Sequence, residues 1–460
     1  MPLRYAEDVP SEIWEKCWTF AERYNLPALS LTCRLFNDIC KPKLFEQLVF
    51  NLPNPRLESF YSAAPILYSL KRRYKELSSN GQLNKHLRTE TYRALLDLIN
   101  SSISQFSRLQ RISIGPVPLG AELMENLRSL QQLDRVHLDT AAGLDLPDST
   151  PPLRVSEFNY HEYALNRTLP TPKLPIIISS EHLQHMWLSG PYAYDILYSF
   201  ICHGRPFERL RSLLFPMKSS DILLFFDFLL ICPVLEKLRI KNFQNLAHVV
   251  SAQLPAIPTS AAPRLTDYMG PDAIAAALAP GRPMSTTVMV NPASAIHKLT
   301  TTDYASLGRS SPPIASLSLG LRYMNRAAFH DLARYLPQLQ KFTVHIEAMG
   351  SIIPEDAITY LDLLSELKSG TVPLPQALRA LGLRPYPHFT SIAQSYPINE
   401  QRRLLATLSS RYLELREASL GIPCVDWKKQ GSVDSRCQES VWVQSKIADM
   451  FPDFCRDTHP

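Results

Sequence analysis

Ser220-Asp221-Ile222-Leu223-Leu224-Phe225-Phe226-Asp227-Phe228-Leu229-Leu230, then Cys232-Pro233-Val234-Leu235, then Glu236-Lys237-Leu238-Arg239-Ile240 reads as a capped helix, a break and a strand. Ser220-Asp221 suits a helix start. Pro233 cannot continue the helix. After it, Leu235, Leu238 and Ile240 follow an apolar, two spacers, apolar, one spacer, apolar pattern, whose last part alternates as a half-buried strand does. Arg326 to Leu336, then Pro337-Gln338-Leu339, repeats the sequence of helix, proline and strand.

The apolar triplet recurs as Leu109-Ile112-Ile114, Leu133-Val136-Leu138, Val155-Phe158-Tyr160, Leu183-Met186-Leu188, Leu210-Leu213-Phe215, Ile314-Leu317-Leu319 and Leu339-Phe342-Val344. Weaker copies lie near Leu265-Tyr268 and Ile296-Leu299. Several starts are roughly 24 to 31 residues apart, the period of stacked repeats. The pattern resembles the L-x-x-L-x-L core of a leucine-rich repeat, in degenerate form, because the usual Asn or Cys after the strand is mostly missing. Parallel strands with helical crossovers in an ordinary α/β fold read similarly; the spacing and the lack of a Gly-rich first turn favour the array. No single unit can bury its apolar side alone, so neighbours must stack.

Residues 9–50 follow a different rhythm. Pro10, Ile13, Trp14, Cys17, Trp18 and Ala21 recur at helical spacing. Asn25 stands where an N-cap would, with Pro27 just inside the next helix. Leu35, Phe36, Ile39 and Cys40 mark a third helix, and the chain is expected to turn at Lys41-Pro42. Three helices in about 40 residues make too small a core to stand alone comfortably, so such a module is expected to dock on something larger or on a partner. Val9-Pro10-Ser11-Glu12-Ile13, Leu26-Pro27-Ala28-Leu29-Ser30-Leu31-Thr32-Cys33-Arg34-Leu35-Phe36 and Leu44-Phe45-Glu46-Gln47-Leu48-Val49-Phe50 together resemble an F-box. Val9 replaces the family's usual Leu, and Asn25 its usual acid. With the degenerate repeats, the chain resembles fungal F-box proteins. The competing reading of these helices is a plain structural cap on the array.

That resemblance implies docking on a Skp-type adaptor and, through it, a cullin scaffold. By matching position it assigns Pro10, Ile13, Leu26, Leu29, Cys33, Phe36 and Phe45 to the adaptor surface or its support. Some of these belong to the module's own core, and the sequence does not sort them.

The expected architecture is a mixed α/β chain: a three-helix F-box over 1–50, a basic helical connector over 51–105, a curved leucine-rich-repeat-like array with a parallel sheet over 106–423, and a cap and tail over 424–460. Residues 251–286, with six prolines, read as an extended loop inserted between repeats. A last helix over Arg402 to Tyr412 precedes a strand over Glu414 to Leu420, and Trp427 and Trp442 read as covering the array's open end.

Of 460 residues, 45% are apolar and 20% charged, enough for a real core, and the formal charge of +5 gives no ground for a nucleic-acid partner. Only 15 glycines leave little room for phosphate-cradling loops, while 38 prolines suit frequent element breaks. The eight cysteines are dispersed without a C-x-x-C pair, as in a reducing compartment, so a cytoplasmic or nuclear location is expected. No apolar run is long enough to span a bilayer. No phosphate loop, dinucleotide fingerprint or nucleophile elbow is present. His182 and His185 lack further ligands nearby. We therefore expect no cofactor, no metal and no catalytic residue.

The function expected from the resemblance is target recognition for an SCF-type cullin ubiquitin ligase. Catalysis would be by proximity alone, holding a target lysine near a charged conjugating enzyme. The rivals are a repeat-based binding scaffold without ubiquitin transfer, and an enzyme on an α/β fold. Target contacts are expected at strand spacers: Arg111, Ser113, Arg135, His137, Arg239, Lys241, Ser316, Ser318, Thr343 and His345. Which spacers face outward depends on register.

Overall fold

A buried residue, a two-residue turn, a leucine and one polar residue precede strand after strand. The backbone N–H of Leu133 bonds the carbonyl of Leu130 at 3.2 Å, Leu235 bonds Cys232 at 3.3 Å, Leu265 bonds Ala262 at 3.2 Å and Leu339 bonds Leu336 at 3.1 Å. All of these leucines are buried. Pro233, Pro263 and Pro337 occupy the first corner of their turns, where proline's fixed φ helps and its missing N–H costs nothing.

The computed structural model describes residues 13–14, 16, 25–32, 34–44, 47–50, 103, 106, 108–114, 121–140, 151–162, 178–190, 197–201, 205–217, 222–241, 254–289, 299–321, 324–346, 357–385, 396–420, 425–430 and 441–447. It divides into two compact units, Met1–Leu210 and Arg211–Pro460. The expected connector helices over 56–105 lie outside the described residues.

The first unit contains α1 (Leu26–Ser30), α2 (Arg34–Leu44), β1 (Gln47–Phe50), β2 (Arg111–Ile114), α3 (Ala121–Ser129), β3 (Arg135–Thr140), β4 (Glu157–Glu162) and β5 (His185–Ser189). The five strands are parallel and adjacent in chain order. In α3, Leu123, Met124 and Leu127 fall on one buried side.

The second unit contains β6 (Ser212–Pro216), α4 (Ile222–Leu230), β7 (Lys237–Lys241), β8 (Asp267–Gly270), α5 (Asp272–Leu278), β9 (Thr286–Met289), α6 (Thr301–Leu307), β10 (Ser316–Leu321), β11 (Met324–Asn325), α7 (Arg326–Tyr335), β12 (Lys341–Ile346), β13 (Ala357–Ile358), α8 (Tyr360–Ser369), β14 (Ala380–Pro385), α9 (Ile398–Arg411), β15 (Glu417–Leu420), β16 (Val425–Gln430) and β17 (Val441–Ile447). Strands β6, β7, β8, β9, β10, β12, β14 and β15 form a parallel run. β11 and β13 make a separate antiparallel pair. β16 and β17 extend the main sheet in antiparallel sense.

One backbone device recurs through both units. The carbonyl just before a strand accepts two N–H groups from the equivalent place in the next repeat. Gln110, Asp134 and Ser156 do this in the first unit, and Arg211, Glu236, Thr266, Ser285, Ala315, Gln340 and Arg379 in the second, at 2.7–3.1 Å. Ser156, Thr266 and Ser285 add their own hydroxyls, donating to the carbonyls of Asp134, Glu236 and Thr266 at 3.4, 3.1 and 3.3 Å. A carbonyl has two lone pairs, so it satisfies the two N–H donors at once, and where a hydroxyl joins them it is a third, longer contact.

The loops are closed by caps. Thr300 with Asp303, and Thr359 with Asp362, form capping boxes at α6 and α8. Asn325 caps α7 through its bond from the Ala327 N–H at 2.7 Å. Gly370 ends α8 at φ 85°, and a Cβ there would meet the Arg411 guanidinium.

The structure departs from the sequence reading in several places. Residues 251–286 are not a plain insertion: they contain β8, α5 and the start of β9. Their prolines serve turns and helix ends, and Thr287 stands where the motif wants an apolar residue, which hides the repeat. β14 is a further unit, with Leu378, Leu381 and Leu383 buried on the same pattern. Leu299, by contrast, precedes α6 and belongs to no strand, while Ile296 lies outside the described residues. α2 runs on through Pro42 to Leu44, because a proline in the last turn forfeits a single intrahelical bond. Asn25 holds the N-cap position of α1 without a side-chain capping bond. Residues 47–50 form the first strand of the sheet, where Leu48 is in register with Ile112. The strand expected over Glu414 to Leu420 is shorter, Glu417–Leu420, and the helix before it longer, Ile398–Arg411.

Arg282 ties the β8–β9 repeat together. It is fully buried and donates to four main-chain carbonyls: Ala261 at 2.8 Å, Leu278 at 2.6 Å, Pro258 at 2.6 Å and Pro280 at 3.4 Å. Two of these lie at the C-terminal end of α5, where a cation complements the helix dipole. Burial lowers its pKa to about 10, still cationic at neutral pH. Arg282→Met retains the stem but strands these acceptors; we expect a loss of about 3 kcal/mol or more, read as a lowered urea midpoint with the circular dichroism spectrum retained.

Candidate interaction face

Strand periodicity and parallel register together arrange side chains in rows. On β2, Ile112 and Ile114 are buried while Arg111 and Ser113 point the other way, and the same alternation recurs on β5, β7, β8, β9, β10 and β12. In the first unit, register aligns Arg111, Arg135, Glu157 and His185 in one row. A second row is Ser113, His137, Asn159 and Trp187, and a third is Asp139, His161 and Ser189. In the second unit, Ser316 aligns with Lys341, Ser318 with Thr343 and then Gly382, and His345 with Arg384. Arg239 and Lys241 lie on the corresponding face of β7.

The structure therefore places all the expected target-contact spacers opposite the core: Arg111, Ser113, Arg135 and His137 in the first unit, Arg239, Lys241, Ser316, Ser318, Thr343 and His345 in the second. It adds Glu157, Asn159, His161, His185, Trp187 and Ser189 to the first set, and Arg384 and Asp426 to the second. The same alternation on β4 and β5 would have found the former. Asp426 comes from an antiparallel strand that carries no repeat motif.

Local pairs order this face. Arg135 Nη1 lies 3.4 Å from Glu157 Oε2, and His137 Nε2 lies 3.0 Å from Asp139 Oδ1. His161 Nδ1 meets Ser189 Oγ. Burial lowers the His161 pKa; Asp139 opposes this and His137 adds to it. Trp187 is 45% exposed amid these polar groups. In the second unit Arg384 donates to Ser419 Oγ at 3.2 Å and lies 3.9 Å from Asp426. Burial, helped by the Arg384 charge, lowers the His345 pKa to about 4.

The N-terminal helices hold a small cluster. Ile39 and Cys40 are buried, with Trp14, Leu29, Leu35 and Phe36 packed against them. The Trp14 and Phe36 rings meet edge-on, with centroids 5.0 Å apart. Leu29 and Phe36 thus support the module from within, whereas Ile13 is 50% exposed and Leu31 86%. Leu26 opens α1. Pro10, Cys33 and Phe45 lie outside the described residues.

No known protein family matches the chain. No curated protein matches it either. Among solved structures it is similar to TLR13, crystallised as the TLR13–ssRNA13 complex, at 13% identity and a TM-score of 0.32. The match covers 69% of this chain and 43% of that one, so the chain spans less than half of that neighbour's length.

On the helix side, a cleft of about 430 Å³ lies between α6 and α7, lined by Gly308, Arg309, Arg334, Tyr335, Gln338 and apolar residues. Among the described residues no group of three or more His, Cys, Asp or Glu could hold a metal ion, and no helix is long and apolar enough to cross a membrane.

Two measurements follow from this geometry. The unfolded chain takes up a proton at His345 near pH 6.5, and the folded chain only near 4, so stability is lost as pH falls through that window. His345→Gln should flatten this part of the stability–pH curve measured by urea denaturation, and an NMR titration of the wild type should place the imidazole near 4. Trp187→Ala should change stability by no more than about 0.5 kcal/mol, as befits a surface side chain; a larger drop in urea midpoint would make Trp187 a core residue.

Proposed function

We propose that the chain is a non-catalytic, repeat-based protein-binding scaffold that recruits a target to a Skp-type adaptor, as the receptor subunit of an SCF-type cullin ubiquitin ligase. The observation that carries the scaffold reading is the register: one side of each sheet is committed to apolar core, and the other presents aligned rows of chemically varied side chains, with Trp187 among them. Such a surface suits protein recognition, where a few aromatic and Arg anchors dominate the energy. The adaptor reading rests on the F-box resemblance of residues 9–50. It is supported by the exposed apolar side chains of Ile13 and Leu31 beside a cluster too small to be a core of its own.

In this reading the N-terminal helices grip the adaptor and the sheet face holds the target. Ubiquitin transfer is left to the other subunits, and this chain raises the target's effective concentration near them. The setting is cytoplasmic or nuclear. A scaffold that binds targets without ubiquitin transfer is the second reading, since the sheet face serves both.

Ile13→Asp with Leu31→Asp alters side chains that are already solvent-exposed, so the fold should persist by circular dichroism. We expect purified full-length chain to capture a Skp-type adaptor saturably, and the double variant to bind at least about tenfold more weakly, as for the loss of central apolar anchors. Absence of wild-type capture sinks the adaptor reading and leaves the scaffold.

A further inference from the structure

The cleft between α6 and α7 has a volume of about 430 Å³, within the ~300–1,000 Å³ of small-ligand sites. Two residues account for it. Ala305 on α6 and Gly308 just after that helix line the cleft with almost no side chain. Gly308 also approaches the end of α7 so closely that a Cβ there would stand 2.7 Å from the Tyr335 carbonyl oxygen. The two helix ends therefore meet backbone to backbone, and the space beside them stays open. Ile314 and Leu336, both buried, and Pro313 and Pro337, both exposed, give it apolar walls. No Asp or Glu lines the cleft, whereas Arg309 and Arg334 both do. Arg309 Nη2 donates to Ser306 Oγ at 3.0 Å, and the Arg334 guanidinium lies 5.2 Å from the centre of the Tyr335 ring. Neither forms an ion pair among the described residues. A guanidinium has five N–H donors, so both keep donors for a further acceptor.

We infer that this cleft binds a small carboxylic acid with an apolar body, the carboxylate held by Arg309 and Arg334 and the body lying against Ile314 and Leu336. The site is independent of the scaffold and adaptor readings, which use the sheet face and the N-terminal helices. Cations without an acid partner are common on an open surface; these two border one concave apolar space. Charge balance fixes the class of ligand. The last carbonyls of α6 and α7 give each helix end about half a negative charge, and the two arginines bring two full positive ones, leaving about one positive charge for one carboxylate to neutralise. Arg334, in the last turn of α7, complements its own helix end, while Arg309 lies beyond Gly308, the C-cap of α6. Arg also offers a two-pronged donor set that matches a carboxylate. An apolar body removes the cleft walls from water and lowers the dielectric around the ion pair, which strengthens it over an exposed one. A bare inorganic anion leaves those walls wet, and an apolar alcohol leaves the guanidiniums without a charged acceptor. A nucleic-acid strand brings more negative charge than two arginines answer.

The test is isothermal titration calorimetry of the full-length chain with 2-naphthoate and with decanoate, a flat and a flexible apolar acid. The comparison probes are 2-naphthylmethanol, which keeps the body without the charge, and acetate, which keeps the charge without the body. We expect saturable binding of at least one of the two apolar acids at one site per chain. The matching alcohol and acetate should each bind at least about tenfold more weakly, as for the loss of a charge-assisted hydrogen bond or of the buried apolar area. Arg309→Gln with Arg334→Gln changes two exposed side chains, so the circular dichroism spectrum should persist; this double variant should bring 2-naphthoate down to the affinity of the alcohol. Ala305→Phe fills the cleft from α6 and should abolish binding of acid and alcohol alike, with its folded state checked by urea denaturation. The proposal is overturned if neither apolar acid binds, if the alcohol or acetate binds as tightly as the acid, or if the arginine double variant binds the acid as the wild type does. Undiminished acid binding by folded Ala305→Phe overturns it as well, by placing the site elsewhere.

Discussion

The shared carbonyl is the constraint on which the rest of the structure depends. Gln110, Asp134 and Ser156, then Arg211 through Arg379, each accept two N–H groups from the next repeat. The second of those donors is the first residue of the next strand, which fixes where that strand starts. A slip of one residue would send every apolar side chain of a strand to water and every spacer to the core. The apolar triplets make that slip costly, since each fully buried Leu, Ile or Phe contributes about 1.5–3 kcal/mol. The carbonyl step makes the correct register the one in which no backbone polar group is stranded. Packing and hydrogen bonding thus select the same alignment.

From that alignment the outward surface follows without further design. Chemical identity can vary freely along each outward row, because only the inward phase is needed for folding. The first unit uses this freedom for imidazoles, carboxylates and a tryptophan, and the second for bases, hydroxyls and a glycine. The glycine, Gly382, stands beside Thr343, whose side chain would meet a Cβ there at 2.9 Å. Close approach explains that glycine, not backbone conformation.

Much of this was legible in the sequence, and the failures have physical causes. Triplets such as Leu235-Leu238-Ile240 predict both the strand and its phase, so the outward spacers fall where the alternation puts them. The β9 unit was hidden because Thr287 takes an inward position and is buried with its hydroxyl. Its neighbour Arg282 was invisible for the opposite reason: a cation satisfied wholly by main-chain carbonyls leaves no partner side chain to find. Residues 251–286 resembled a loop because composition does not distinguish a proline at a turn corner from one in an irregular segment. Asn25 takes the N-cap position its residue type suggests but makes no side-chain capping bond, whereas the complete boxes at Thr300 and Thr359 emerge only with the structure. The exposure of Ile13 against the half-burial of Leu29 and Phe36 needs coordinates, since one helical spacing serves both.

The change of direction at β15 limits what this chemistry can build. Up to β15, each parallel repeat leaves the next edge with the same pattern of donors and acceptors, which another copy of an array could continue. Head-to-tail growth of that kind does not close on itself and yields fibres. β16 runs backwards, and Lys429 supplies a single N–H, at 2.8 Å, to the Arg416 carbonyl where a repeat would supply two. β17 follows with a register shift at Asp426/Trp427, while the indole of Trp427 is anchored to Gln401 at 2.9 Å. The reversal interrupts the parallel template, so a further repeat has no matching edge on which to continue the same step.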